Sequence, residues 1–228
     1  MNQPTLIYAT DEDVAVRSSA DFSLLCPRDQ KRAWGADGQF AAEDRWVLSS
    51  PSVDFAAYGV APGDVVLLTQ PAAVFKSPGE LLVADSVDAS GVRLRRKGQA
   101  SGVGSPPGPP AGVAQVEFAV PTLGPQIARA CEELNRRYGV DDLVVGLRPS
   151  DLFDPREVRE ATVLTVLYHQ YLDMSRGSSA GNDAFLAKAQ LYKQELDDLL
   201  SRIAVHWESI PGGKAGVTAY RFGTRLSR

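Results

Sequence analysis

Between Trp46 and Val120 the apolar residues come in short, β-branched runs separated by turn residues, and this texture narrows the available folds more than any other stretch of the chain. Val65-Val66-Leu67-Leu68 and Leu81-Leu82-Val83 have the length and composition of strands. Ala61-Pro62-Gly63-Asp64 reads as a tight turn feeding the first of them, because Pro presets φ and Gly tolerates positive φ. Asp88-Ala89-Ser90-Gly91 does the same before Val92-Arg93-Leu94-Arg95, whose strict alternation marks a half-buried strand. Residues 101–112 hold four Gly and four Pro, a composition that predicts an exposed loop, and Val116–Val120 alternates once more. Residues 46–120 are therefore expected to form a small antiparallel β module. Its apolar faces would come from Val65 and Leu67, Leu82, Val92 and Leu94, and Val116 and Phe118, with Arg93 and Arg95 toward solvent.

On either side the period becomes helical. Thr10 is a suitable N-cap for a helix over residues 10–25, with Asp11, Glu12 and Asp13 in its first turn and Val14, Phe22, Leu24 and Leu25 inward. A polar loop containing Gly35 and Gly38 follows. Ile127, Cys131, Leu134 and Tyr138 recur at helical spacing, with Gly139 as a stop. Asp154-Pro155-Arg156-Glu157 is the sharpest helix start in the chain, an acceptor at the cap, Pro at the first helical position and Glu three residues after the cap. The helix it opens is apolar on most sides, so it should be the most buried one. After the break at Gly177–Gly181, Phe185, Ala189, Tyr192, Leu196, Leu199 and Ile203 form a narrower stripe suited to antiparallel packing on it. The expected fold is α+β: a small bundle of three to four helices (residues 1–45 and 121–208) with an inserted antiparallel β module (46–120) and an extended C-terminal arm (209–228).

That arm contains Lys214, Arg221, Arg225 and Arg228 and no Asp or Glu, whereas the other 208 residues carry 20 basic against 28 acidic side chains. Too poor in apolar residues to build a core, it is expected to be ordered only by a partner, with Tyr220 and Phe222 as apolar anchors among its arginines. The acidic pI near 5.3 argues against general nucleic-acid binding. No run approaches the roughly 18 apolar residues of a membrane span, and the N-terminus lacks a basic-then-apolar signal pattern, which predicts an intracellular product. Cys26 and Cys131, with 104 residues between them, lack metal-ligand spacing and read as reduced, buried thiols.

Chemistry-bearing motifs are sparse. Neither His169 nor His206 has metal or triad spacing, and there is no phosphate-binding Gly loop or nucleophile elbow. No cofactor, metal or catalytic residue is expected. Asp141, Asp142, Asp151 and Asp154 read as loop and cap residues, the hydrolase alternative requiring them to converge in a cleft. Arg93, Arg95 and Arg96 read first as a solvated strand face and second as contacts to phosphates or to an acidic neighbouring subunit. The latter would make 46–120 a β-barrel binding module for nucleic acid or peptide.

The arrangement of Ala161-Thr162-Val163-Leu164-Thr165-Val166-Leu167-Tyr168, a glycine-rich break, Ala187-Lys188-Ala189-Gln190-Leu191-Tyr192 and a charged helix ending in a basic tail resembles the head–tail adaptor (connector) proteins of tailed bacteriophages. The likeness spans about residues 121–228, and Tyr8-Ala9-Thr10-Asp11-Glu12-Asp13-Val14 fits the short first helix of such proteins. It implies a non-enzymatic virion protein of the neck, made in the host cytoplasm, forming a ring, usually of twelve copies, that joins portal to tail and passes DNA through its lumen. The implied partners are the portal protein, neighbouring copies, a tail-side stopper or tail completion protein, and genomic DNA in passage, with no membrane. The arm residues Tyr220, Arg221, Phe222, Arg225, Leu226 and Arg228 would bind portal. Compact members lack a β module like 46–120. A tail completion or stopper protein is the alternative assembly role.

Overall fold

A computed structural model describes residues 7–75, 77–88, 91–100, 108–138, 154–177 and 183–203. These fall into two compact units, one made by residues 10–123 and the other by residues up to Ala9 with those from Gly124 onward.

The first unit is a closed six-stranded barrel, and it overturns the expectation of a helical bundle carrying a small β insertion. Its strands are β1 (Lys31–Phe40), β2 (Val47–Ser49), β3 (Val65–Gln70), β4 (Glu80–Asp88), β5 (Gly91–Arg96) and β6 (Val116–Pro121). They run in the order β1-β2-β5-β4-β3-β6, every pair is antiparallel, and β6 pairs back onto β1. The strand that closes the barrel lies where a Gly-containing loop was expected. Gly35 and Gly38 are in β1 because of what sits opposite them: a Cβ at Gly35 would come 2.8 Å from Cζ of Phe118, and one at Gly38 would come 2.9 Å from the Val116 carbonyl oxygen. The glycines let β1 cross close over a large interior ring, with one register shift before Trp34 and another between Gly35 and Gly38.

Inside the barrel, Val66 and Leu68 of β3 meet Leu82 and Ala84, Val92 and Leu94, and Val116, Phe118 and Val120, with Phe55, Val60 and Phe75 contributed by connections. The expected inner face of β3 is thus reversed. Val65 and Leu67 point to the outer face, where Val65 pairs with Val83 and both are fully buried outside the interior cluster. A strand that is apolar on both faces carries no period-2 signal to distinguish them.

Two short helices complete this unit, α1 (Asp11–Arg17), which packs on β3, and α2 (Phe22–Leu25). The Thr10 hydroxyl accepts from the Asp13 N–H, and the Asp13 carboxylate accepts from the Thr10 N–H at 2.8 Å, a reciprocal cap. Val14, Ala15, Phe22 and Leu25 are buried, but Leu24, expected inward, is 56% exposed.

The second unit contains α3 (Gly124–Tyr138), α4 (Pro155–Gly177) and α5 (Asp183–Leu200), with α4 packed on both others. Asp154 caps α4 as its sequence predicts, accepting from the Arg156 N–H at 2.8 Å. Ala161 to Leu167 form an unbroken buried run. Thr162 and Thr165 are tolerated in it because their hydroxyls donate to the carbonyls of Val158 and Ala161, each at 2.8 Å. Tyr171 stacks on Phe185 and Tyr192 of α5, at 6.2 and 5.6 Å between ring centres. Tyr8 ties the N-terminal stretch to α3, donating its N–H to Cys131 Sγ at 3.4 Å and its hydroxyl to Asn135. Among the described residues no helix is long and apolar enough to cross a membrane.

Candidate functional site: the outer face of the barrel

The three arginines singled out on β5 are engaged within their own unit. Arg93, at the outer surface, pairs with Asp44 at 2.5 Å, and Arg96 pairs with Glu80 at 3.4 Å. Arg95 does not face solvent as expected: its side chain is 14% exposed. Its two terminal nitrogens grip the Glu12 carboxylate at 2.5 Å each, its Nε lies 3.2 Å from Asp85 Oδ1, and it donates to the Gln99 carbonyl at 2.9 Å. The register explains the burial. Arg95 stands opposite Val83 on the outer face, and Glu12 of α1 reaches over to it. A β-bulge at Asp85 sits between the Ala84–Leu94 and Ser86–Arg93 pairs. Glu12 also accepts from the Gly98 N–H at 2.9 Å, so one carboxylate fixes both the arginine and the turn after β5.

A second buried polar group, next to Glu12 in the same first turn, also holds α1. The Asp11 carboxylate accepts from the Thr122 hydroxyl and the Leu123 N–H, both at 2.7 Å. Burial pushes its pKa up, against those two hydrogen bonds, and nearby Asp64 adds to the rise. Asp64 is likewise raised by burial, although it accepts from the Ala61 N–H at 2.8 Å and pairs with Arg32 Nε at 3.1 Å. These carboxylates are bound to backbone and to an arginine. Among the described residues no group of three or more His, Cys, Asp or Glu is placed to hold a metal ion. Burial, with Asp11 second, pushes the Cys26 thiol up to about 12, and burial raises Cys131. Both thiols are free and buried.

The feature that stands out is apolar. Trp34 of β1 is 71% exposed. It stands opposite Ala119 of β6, Ala119 opposite Leu67 of β3, and Leu67 opposite Leu81 of β4. Directly paired residues share a face, so these four form one row across the outside of the barrel. Ala119, Leu67 and Leu81 are half-buried. Beyond Leu81 the row opens into a hollow of about 500 Å³ lined by Val74, Gly79, Glu80, Leu81, Arg96 and Lys97. Leu82 pairs with Arg96, the last residue of β5, and Lys97 follows in the turn, lining the same hollow as Leu81. Lys97 is half-buried, and burial lowers its pKa. Gly79, at φ +122°, closes one wall: a Cβ there would come 2.7 Å from Leu67 Cδ1.

Sequence reasoning missed Trp34 because the β1 alternation, with Ala33 and Gly35 buried and Arg32, Trp34 and Ala36 exposed, is disguised by its glycines. It missed Glu12 as the partner of Arg95 because they lie 83 positions apart in the chain. Asp154 is a cap, while Asp141, Asp142 and Asp151 and the arm residues Tyr220, Arg221, Phe222, Arg225, Leu226 and Arg228 lie outside the described residues. Compared with known proteins, the chain matches no family model, no curated protein and no solved structure.

Proposed function

We propose that the protein is a structural part of a tailed-phage neck, acting through protein–protein contacts to join the portal to the tail, with its basic arm 209–228 as the portal-binding element. The observation that carries an assembly role is Trp34, 71% exposed at the head of a cross-strand apolar row. A large, rigid aromatic held out on a barrel strand is a contact anchor rather than a stabilising core residue. The ionic setting supports the same reading over the nucleic-acid module, because Arg93, Arg95 and Arg96 each meet a carboxylate of their own unit. The adaptor class itself rests on the sequence resemblance over residues 121–228.

The test is co-purification with portal protein followed by electron microscopy. The full chain is expected to join the portal as a ring, and a chain lacking residues 209–228 to stay folded and fail to join. Portal binding that survives the truncation would overturn the role of the arm, and no portal binding by the full chain would overturn the neck reading.

A further inference from the structure

We infer that the outer row of the barrel is a self-association surface whose occupant is the exposed face of α5 from a second copy of this chain. The barrel side of the contact runs from Trp34 through Leu67 and Leu81 to Lys97, apolar first and cationic last. No acidic partner of Lys97 is found among the described residues, and Lys97, half-buried as a residue, lines the open hollow at the end of the row. A cation kept there selects an occupant that is apolar along the row and anionic at its end.

One described surface has that order. On α5, Leu191 is 51% exposed and Asp198 is exposed; they are seven residues apart, two turns, so they share a stripe. The neighbouring Asp197 is engaged by Lys193, whereas Asp198 has its backbone carbonyl, not its carboxylate, in the hydrogen bonds from Ser201 and Arg202. The spacings agree. Leu191 to Asp198 spans about 10 Å at ~1.5 Å per residue, and from Leu67 on β3 across β4 to the end of β5, where Lys97 follows, is two strand separations, also about 10 Å. With Leu191 on Leu67, the Asp198 carboxylate reaches Lys97 and the preceding turns of α5 run toward Trp34.

Row and stripe are different surfaces, so the contact is heterologous and repeats head to tail, which generates a ring where the rotation closes. The footprint is small, hence each contact is weak and the assembly depends on many copies. In this respect the inference rests on the neck reading, and it names how neighbouring copies meet.

The experiment is sedimentation of the full-length chain up to about 100 µM, with thermal unfolding to verify that each variant is folded. The wild type is expected to self-associate with rising concentration. Lys97→Glu and Asp198→Lys are each expected to weaken that association at least about tenfold, and the double variant to recover it, because the pair is restored with its signs exchanged. Trp34→Ser, which alters no charge, is expected to weaken it as well. Absence of wild-type association, insensitivity to the single substitutions, or a double variant no better than the singles overturns the contact. Self-association that obeys the charge exchange in a protein that ignores portal would sink the neck reading alone; portal binding with charge-insensitive self-association would sink this contact alone.

Discussion

Asp11 is a carboxylate placed where a neutral group would serve. Its folded pKa is raised above the ordinary 3.8, chiefly by burial. The stability it contributes is therefore fully present below that ordinary value and is lost as the pH climbs through the raised one. Asparagine keeps an acceptor for the Leu123 N–H and offers a donor to the Thr122 oxygen. Asp11→Asn is therefore expected to fold, and its melting temperature relative to wild type should rise steadily as the pH is taken from acid to neutral. Asp11→Ala leaves that N–H buried and unpaired, at a cost of about 1–3 kcal/mol. A wild-type advantage over Asn that grows with pH would refute this account. Arg95 has the opposite character: its charge is fully used. Arg95→Ala abandons Glu12 and Asp85 beside one another, with an expected loss of about 3 kcal/mol in denaturant unfolding. Arg95→Lys should fall between, since an ammonium cannot reproduce the two-pronged grip on Glu12.

At the scale of elements, what could be read from the sequence depended on whether a strand had one apolar face or two. β5 and β6 alternate cleanly, and their inward residues, Val92 and Leu94, Val116 and Phe118, are the ones expected. β3 is apolar throughout, so its existence was legible and its orientation was not. β1 was missed altogether, because the glycines that its neighbour Phe118 requires are also the residues that mark a loop. Gly38→Ala places a methyl group 2.9 Å from a backbone oxygen that cannot swing aside. It is expected to destabilise the barrel by about 1–3 kcal/mol, whereas the same change at the exposed Gly112, with nothing within 4 Å, meets only the strain of its positive φ, +71°. Comparing the two urea midpoints checks this. The starts of α1 and α4 were legible because a cap is a local device. Asp154→Ala should cost about 1 kcal/mol, seen as earlier thermal loss of helical signal.

At the scale of the whole molecule, the interior cluster, all six strand pairings and the buried ionic groups Asp11, Asp64 and Arg95 belong to residues 10–123. That segment expressed alone is expected to fold cooperatively, with one unfolding transition by near-ultraviolet and far-ultraviolet dichroism alike. Non-coincident curves, or a segment that remains unfolded, would show that its core is incomplete without the helices. The outer row was illegible in the sequence for a reason of this scale: its members come from positions 34, 119, 67 and 81 and become neighbours only when the barrel closes.

Closure has one further effect. An open sheet ends in two strands with free N–H and C=O groups, and when many copies are brought together those rims stick to one another without regard to side chains. Here β1 finds β6, and among the described residues no strand stands at the end of a sheet. Copies of this barrel brought close together have no end strand to pair through, which leaves their contact to the side chains the barrel presents. Backbone zippering, the ordinary hazard of concentrating a β protein, is closed off before assembly begins.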